Sequence, residues 1–254
     1  MTPTPIKAVF FDQDGVIVDT ERDGHRVAFN RTFAEFGFNV VWDAETYHRL
    51  LQVGGGKERM RHAYDTHGFG VAVADIDATI QAMHKRKTDV FVKMIEAGEL
   101  PLRPGVHRCM REINQAGLIL GVCTTSNERA AAAITGRLLP DIRFDFILAG
   151  DVVKRKKPDP EIYQLARGKS GLAPEECLVV EDSRIGVTAA KAAGMHVIAT
   201  VNDYTREEDT SAADVVVDCL GDPDGPHARL LSGSAAALAG GCVTLASLQK
   251  ALAS

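Results

Sequence analysis

The stretch VFFDQDGVIVDTERDGH, residues 9–25, runs three apolar residues straight into two carboxylates, Asp12 and Asp14, separated by one position. A glycine follows, then apolar Val16, Ile17 and Val18. Lys7 to Phe11 reads as a short buried strand, so both acids stand where that strand ends. From Thr20 the pattern becomes helical: FNRTFAEFGF, AETYHRLLQV and DIDATIQAMHKRKTDVFVKMIEAG carry it to about Leu102. The next comparable strand, LILGVC at Leu118 to Cys123, comes only after this interval. A helical segment is thus inserted between the first and second strands.

Beyond Cys123 the rhythm is regular. A helix from about Glu128 to Leu138 precedes a strand near Phe144 to Leu148. A helix from Pro160 to Arg167 precedes the strand CLVVE, Cys177 to Glu181. A helix from Arg184 to Ala193 stops at Gly194, a residue suited to a helix C-terminus. Strands near Val197 to Thr200 and Val215 to Val217 follow, and the small-residue tail reads as a loop with a terminal helix. Strands and helices in turn imply an α/β fold with a mostly parallel, Rossmann-like sheet covered on both faces. Residues 1–19 and 103–254 would form this core, and residues 20–102 a helical cap domain.

Composition excludes several classes. The 254-residue chain is 45% hydrophobic and 25% charged, ordinary for a globular protein, and its net charge is −5. That balance argues against a general nucleic-acid binder or a membrane-surface protein. Cys109, Cys123, Cys177, Cys219 and Cys242 are odd in number and form no CxxC pair. Reduced thiols in a cytosolic-type compartment are expected, not disulfides or a zinc site. The N-terminus lacks a charged leader followed by a long apolar run, so no signal peptide, transit peptide or membrane span is expected.

The polar residues fall at strand ends. Asp12 and Asp14 follow the first strand, and Thr124, Thr125, Ser126 and Asn127 follow the second. Lys157 lies in the loop before Pro158, and Glu181 and Asp182 close CLVVE. Open parallel sheets bind ligands outside the carboxyl ends of their strands. Pro158 disfavours helix at Lys157, Asp159 is placed to cap the helix whose first turn holds Pro160, and Ser183 is placed to cap the next. Acids gathered on one edge repel unless a cation joins them, and an all-oxygen donor set suits Mg²⁺. A lysine and hydroxyls aimed at the same place point to phosphate. One carboxylate would attack phosphorus, and the other would protonate the leaving oxygen and then deprotonate water.

DQDGV, CTTSN, KKPDPEIY and VVEDSRIGV resemble the four motifs of the haloacid dehalogenase (HAD) phosphotransferase superfamily. The helical cap after the first motif is similar to that of its β-phosphoglucomutase-like subgroup. The resemblance implies Asp12 as nucleophile, Asp14 as acid and base, Thr124 as a phosphoryl hydrogen-bond donor and Lys157 as the neutralising cation. It also implies that Asp12, the backbone carbonyl of Asp14, and Asp182 hold Mg²⁺, with Glu181 adjacent as a further ligand or as a base behind the ligands. DTERDGHRVAFN, LLQVGGGKERM, LPLRPGV and GDVV look like the CbbY-like branch, above all its plant and algal form. That branch is associated with removing phosphate from xylulose 1,5-bisphosphate, an inhibitory by-product of Rubisco.

In the cap, Gly54, Gly55 and Gly56 let backbone amides approach an anion, and the helix beginning near Lys57 offers its positive end. Lys57 would grip the phosphate remote from the reacting one; Arg59, two residues on and on a different helix face, is a further candidate contact for the substrate, as are Thr125, Ser126 and Asn127 after the second strand. Asp19, His25 and Tyr47 are candidate sugar contacts. His25 sits one residue later than the histidine of β-phosphoglucomutase, because of the extra residue in TERDGH.

Rival readings are weaker. Val16 occupies the next ligand position of a calcium-binding EF-hand loop, and GGGKE lacks both the Ser or Thr and the first glycine of a Walker loop. His48, His62, His67 and His84 show no metal spacing. A signalling receiver also uses an Asp acceptor, Thr, Lys and an acidic pair, but has no use for the helical insertion. A phosphosugar mutase on the same scaffold is the nearer alternative. The expected partner is a small phosphosugar, with no nucleic acid and no membrane. The expected state is a monomer, in the cytoplasm or, for a mature organellar chain, the chloroplast stroma.

Overall fold

The computed structural model describes residues 4–53, 56–126 and 128–252. The chain divides into two compact units, Thr20–Leu100 on one hand and Met1–Asp19 with Pro101–Ser254 on the other.

The larger unit is built on a sheet. Among the described residues its strands are β1 (Ala8–Phe11), β2 (Ile119–Cys123), β3 (Phe146–Leu148), β4 (Cys177–Glu181), β5 (His196–Thr200), β6 (Val215–Val217) and β7 (Leu230–Gly233). Their order is β3-β2-β1-β4-β5-β6-β7, and every pairing is parallel except β6 with β7. AVFF of β1 and CLVVE of β4 are buried at every position. That is the continuous burial of a sheet covered on both faces, and it explains why these strands read as apolar runs. The chain leaves β1 toward β2 on one side, while β4 lies on the other, so β1 and β4 flank the topological switch point where such sheets bind ligands.

β3 begins two residues later than the apolar pattern suggests. Asp145 turns its carboxylate to accept the Leu120 N–H at 2.9 Å, taking a bond that the ladder would otherwise make. β7 was not legible as a strand: its residues are exposed or half-exposed, and its single strand neighbour is β6.

The helices of this unit are α5 (Val106–Gln115), α6 (Glu128–Leu138), α7 (Glu161–Ser170), α8 (Arg184–Ala192) and α9 (Leu245–Leu252). Ser183 caps α8, its hydroxyl accepting the Gly186 N–H at 3.2 Å. Asp159 accepts the Glu161 N–H at 3.0 Å at the start of α7.

The smaller unit is helical: α1 (Arg26–Glu35), α2 (Ala44–Leu50), α3 (Gly56–His67) and α4 (Ile76–Glu96). Asp43 and Asp75 cap α2 and α4, accepting from Thr46 N–H at 2.7 Å and Ala78 N–H at 3.0 Å. Its core is aromatic, with Phe29, Phe33, Trp42, Tyr47 and Phe69 all buried. Thr20–His25 form a π-helical turn. Its bonding runs i→i+5 instead of the i→i+4 of an α-helix. No helix among the described residues is long and apolar enough to cross a membrane.

One buried polar group breaks the usual rule. Between Asp12 and Asp14, the Gln13 side chain is fully buried, and neither its amide nitrogen nor its oxygen has a hydrogen-bond partner among the described residues. Leaving such a group unpaired costs about 1–3 kcal/mol. Gln13→Leu is therefore expected to raise stability by about 1–2 kcal/mol in chemical denaturation. An unchanged or lower midpoint would mean that the amide is satisfied in solution.

Candidate active site

The site is assembled at the carboxyl ends of β1, β2 and β4. Asp12 leaves β1 with its N–H donated to Val180 O at 2.9 Å, so the nucleophile candidate is pinned to β4. The chain then turns tightly: the Gln13 carbonyl accepts N–H groups from Val16, Ile17 and Val18. Gly15 lies in the left-handed region at φ +77°, and a Cβ there would come within 2.0 Å of Asp182 Oδ2. Glycine is therefore required where the first motif packs against the fourth.

Lys157 is the centre of the arrangement. Its ammonium donates to Asp12 Oδ1 at 2.7 Å, Glu181 Oε1 at 2.6 Å and the Cys123 carbonyl at 3.1 Å. Burial alone would discharge this amine, but Asp12 and Glu181 outweigh it and hold the pKa above the usual lysine range. Glu181 also accepts the Tyr163 hydroxyl and, on its other oxygen, the Asp182 N–H at 3.3 Å. It is fully buried, and a Cβ on Gly186 would overlap its carboxylate. Asp14 accepts from the Ser126 hydroxyl and from Thr124 Oγ1 at 3.5 Å. Thr124 Oγ1 in turn accepts the Ser126 N–H at 3.1 Å.

Asp12, Glu181 and Asp182 each bring a carboxylate oxygen to within 4.8 Å of the others, and all three are buried. Two carboxylates at that distance repel by about 3 kcal/mol at an effective dielectric constant near 20. Lys157 pairs with Asp12 and Glu181 but not with Asp182, so the three acids outnumber the lysine beside them when all are ionised. Burial, followed by the charges of Glu181 and Asp14, pushes Asp12 up to about 7 despite Lys157. Burial, then Glu181 and Asp12, holds Asp182 well above the usual carboxylate range. A hard divalent cation ligated by oxygen fits this donor set and this charge.

The larger unit thus gathers Asp12, Asp14, Thr124, Ser126, Lys157, Glu181 and Asp182. Thr125 is exposed beside them and Asp19 is buried at the unit's edge. Asn127 and Gly55, both expected at the site, lie outside the described residues, as does Gly54.

In the smaller unit, Lys57 is exposed in the first turn of α3. Gly56 lies close to His84, whose ring a Cβ would approach to 2.9 Å. Tyr47, expected as a sugar contact, has no exposed surface: its hydroxyl donates to Glu21 at 2.6 Å and accepts from Arg59 at 3.0 Å. Arg59 is buried as well, with its Nε donating to Leu50 O at 3.0 Å. In this structure both serve the unit's interior.

His25 carries a partner that the sequence reading missed. Lys87 of α4 is buried, with Nζ 2.9 Å from His25 Nδ1 and 4.8 Å from the Phe29 ring centroid. Burial first, with Lys87, Arg59 and His84 adding to it, holds His25 neutral well below its ordinary range. Burial also lowers Lys87 to about 8. A lysine in the apolar stripe of α4 was the available signal. Tyr163 and Asn202, which donates to Asp182 Oδ2 at 2.7 Å, were also missed as supports of the acids.

Comparison with known proteins gives the family of the chain. Residues 6–194 match the haloacid dehalogenase-like hydrolase family model. A CBBY-like protein of Arabidopsis thaliana is 49% identical over 222 residues, spanning 85% of this chain and 70% of that one. The crystal structure of an Asp-to-Asn mutant of CbbY from Rhodobacter sphaeroides, in complex with xylulose-(1,5)bisphosphate, is 38% identical. It superposes with a TM-score of 0.67 over 87% of this chain and 97% of that one. A structure described as a putative β-phosphoglucomutase from Thermotoga maritima has the same TM-score at 28% identity, covering 83% and 93%.

Proposed function

Because the chain belongs to the haloacid dehalogenase-like hydrolases and is CbbY-like within them, we propose that it removes one phosphate from xylulose 1,5-bisphosphate, leaving xylulose 5-phosphate, by way of an aspartyl-phosphate. The observation that carries the reading is Lys157, whose buried ammonium joins Asp12 and Glu181 beside Asp182 at the switch point of the sheet.

Asp12 attacks phosphorus with the carboxylate oxygen that Lys157 does not occupy, and Lys157 offsets charge on both the nucleophile and the phosphoryl oxygens. Asp14, held by the Ser126 and Thr124 hydroxyls, gives its proton to the departing sugar oxygen. Once ionised, it takes a proton from the water that attacks the acyl phosphate. Thr124 and Ser126 orient the phosphoryl group. Asp12, the Asp14 carbonyl and Asp182 would hold Mg²⁺, while Glu181 anchors Lys157. When bound, the ion supplies positive charge that keeps Asp12 ionised and stabilises the charge developing on phosphate.

Lys57 with Gly55 and Gly56 reads the second phosphate, and Asp19 and His25 contact the sugar. The pentulose bisphosphate is supported by the ligand of the Rhodobacter structure. It accords with a role in clearing an inhibitory product of Rubisco.

A phosphate-release screen with Mg²⁺ across pentose and hexose mono- and bisphosphates tests the substrate through kcat/KM. Lys57→Ala is expected to lower kcat/KM for the bisphosphate about 10- to 100-fold, the loss of one charge-assisted contact, and to leave an aryl phosphate almost untouched. Equal losses on both would remove Lys57 from phosphate reading. The similarity to a putative β-phosphoglucomutase keeps a mutase as the second reading. An isomeric sugar phosphate formed without phosphate release would favour it, and stoichiometric phosphate release with solvent oxygen incorporated would support hydrolysis.

A further inference from the structure

Arg103 makes a set of contacts that nothing in the phosphoryl chemistry above uses. Its guanidinium donates to the carbonyls of Gly15, Thr200 at 2.6 Å, Val201 at 2.8 Å and Asp218 at 2.7 Å. These carbonyls come from three places along the sheet edge: the turn after β1, the end of β5 with the residue beyond it, and the residue after β6. The main chain of the same residue is paired too. Its N–H donates to Ile17 O at 2.9 Å, and Val18 and Leu102 form an antiparallel bridge beside it. The outgoing segment 14–19 and the returning segment 101–103 are therefore fastened together within the larger unit.

Two of the clamped carbonyls lead to Asp182. Gly15 packs its backbone against the Asp182 carboxylate so closely that no Cβ fits. Val201 precedes Asn202, whose amide donates to Asp182 Oδ2. Asn202 is itself fixed, its Oδ1 accepting from Tyr204 N–H at 2.9 Å and Thr205 N–H at 3.2 Å. One planar cation thus sets both walls between which Asp182 lies, and also the residue that follows Asp14. A lysine could not reproduce this: its ammonium is a point donor, whereas the fork of a guanidinium holds several acceptors in fixed directions.

We infer that Arg103 is a positioning residue for the acidic group, fixing Asp182 and the turn that carries Asp14 through the Gly15 and Val201 carbonyls. The inference rests on the phosphatase reading. Supports of this kind typically change metal affinity or activity 10- to 100-fold when lost.

Arg108 supplies the control. It also clamps carbonyls, of Leu220, Gly221 and Val243, and pairs with Glu112, but none of its partners touches the acids. Calorimetric titration of the full chain with Mg²⁺ alone, in the absence of substrate, is the primary measurement. Melting temperature and the kcat and KM of an aryl phosphate accompany it.

Arg103→Lys is expected to weaken Mg²⁺ binding about 10- to 100-fold and to lower kcat comparably with little change in KM. Arg103→Met should do so more strongly, and Arg103→Lys decides the matter if Arg103→Met does not fold. Arg108→Lys should lower only the melting temperature. If Arg103→Lys melts earlier but keeps the parent's Mg²⁺ affinity and kcat, Arg103 serves the fold alone and the inference is overturned. If the parent itself neither binds Mg²⁺ nor hydrolyses phosphate esters, the phosphatase reading falls and this inference with it.

Discussion

Asp12→Asn is expected to lower kcat by about 10⁴- to 10⁶-fold while the protein stays folded. An amide oxygen cannot displace the sugar from phosphorus, and among the described residues no other carboxylate stands at the end of β1 with its backbone pinned to β4. Asp14, the neighbouring acid, is instead held by the Ser126 and Thr124 hydroxyls. The structural consequence should be small. The amide oxygen of the substituted side chain can still accept from Lys157, which keeps Glu181 and the Cys123 carbonyl. Burial disfavours the charge of Asp12, so in metal-free protein at pH 8 the substitution should leave the melting temperature equal to the parent's or above it. Steady-state rates with an aryl phosphate, together with melts in a chelator, check both halves. A variant within tenfold of the parent's kcat would remove Asp12 as nucleophile.

Lys157→Met is the second large effect, and it reaches stability as well as rate. Removing one partner of a buried ion pair typically costs about 3–5 kcal/mol, because the remaining charges stay buried without compensation. Here two carboxylates lose the same cation. In metal-free protein at pH 8 a loss of about 3–5 kcal/mol is expected in urea denaturation. The pH dependence has a definite sign. Asp12 in the folded parent takes up a proton near pH 7, above its ordinary value of 3.8. Its pair with Lys157 is therefore fully present above pH 7 and weakens as pH falls through that value. The stability gap between parent and variant should narrow from pH 8 to pH 5, leaving the part that Glu181 contributes. A gap independent of pH would show that Asp12 is not part of the pair. Mg²⁺ should narrow the gap at pH 8, since the ion supplies charge that the lysine no longer does.

Much of the larger unit was legible in the sequence for one physical reason: buried parallel strands need apolar residues at every position. A run such as AVFF or CLVVE that ends in an acid is then conspicuous. β1, β2, β4, β5 and β6 announced themselves as apolar runs, and the acids that end β1 and β4 could be placed on one edge from topology alone. β7 could not, because an exposed antiparallel edge strand has no apolar alternation to display. α5 carries Val106, Cys109, Met110 and Ile113 on one buried face. That spacing is legible in VHRCMREINQ as one apolar face of a helix.

The smaller unit was harder. Tyr47 and Arg59 were read as contacts for a substrate, yet polar residues on a helix also hold a small aromatic core together, and only packing tells the two apart. Lys87 lies within the helical stretch HKRKTD, and only the packed α4 shows it turned inward against His25 and Phe29. Arg103 lies within LPLRPGV, but its acceptors are backbone carbonyls from distant strand ends, which no local pattern reveals.

The most direct test of a covalent aspartate mechanism is to quench the enzyme in acid during turnover of a phosphosugar and map phosphate by mass spectrometry. A phosphoryl adduct on the peptide containing Asp12, appearing before product and absent from Asp12→Asn, is the predicted result. Product released from the first turnover onward, with no adduct at any quench time, would contradict it.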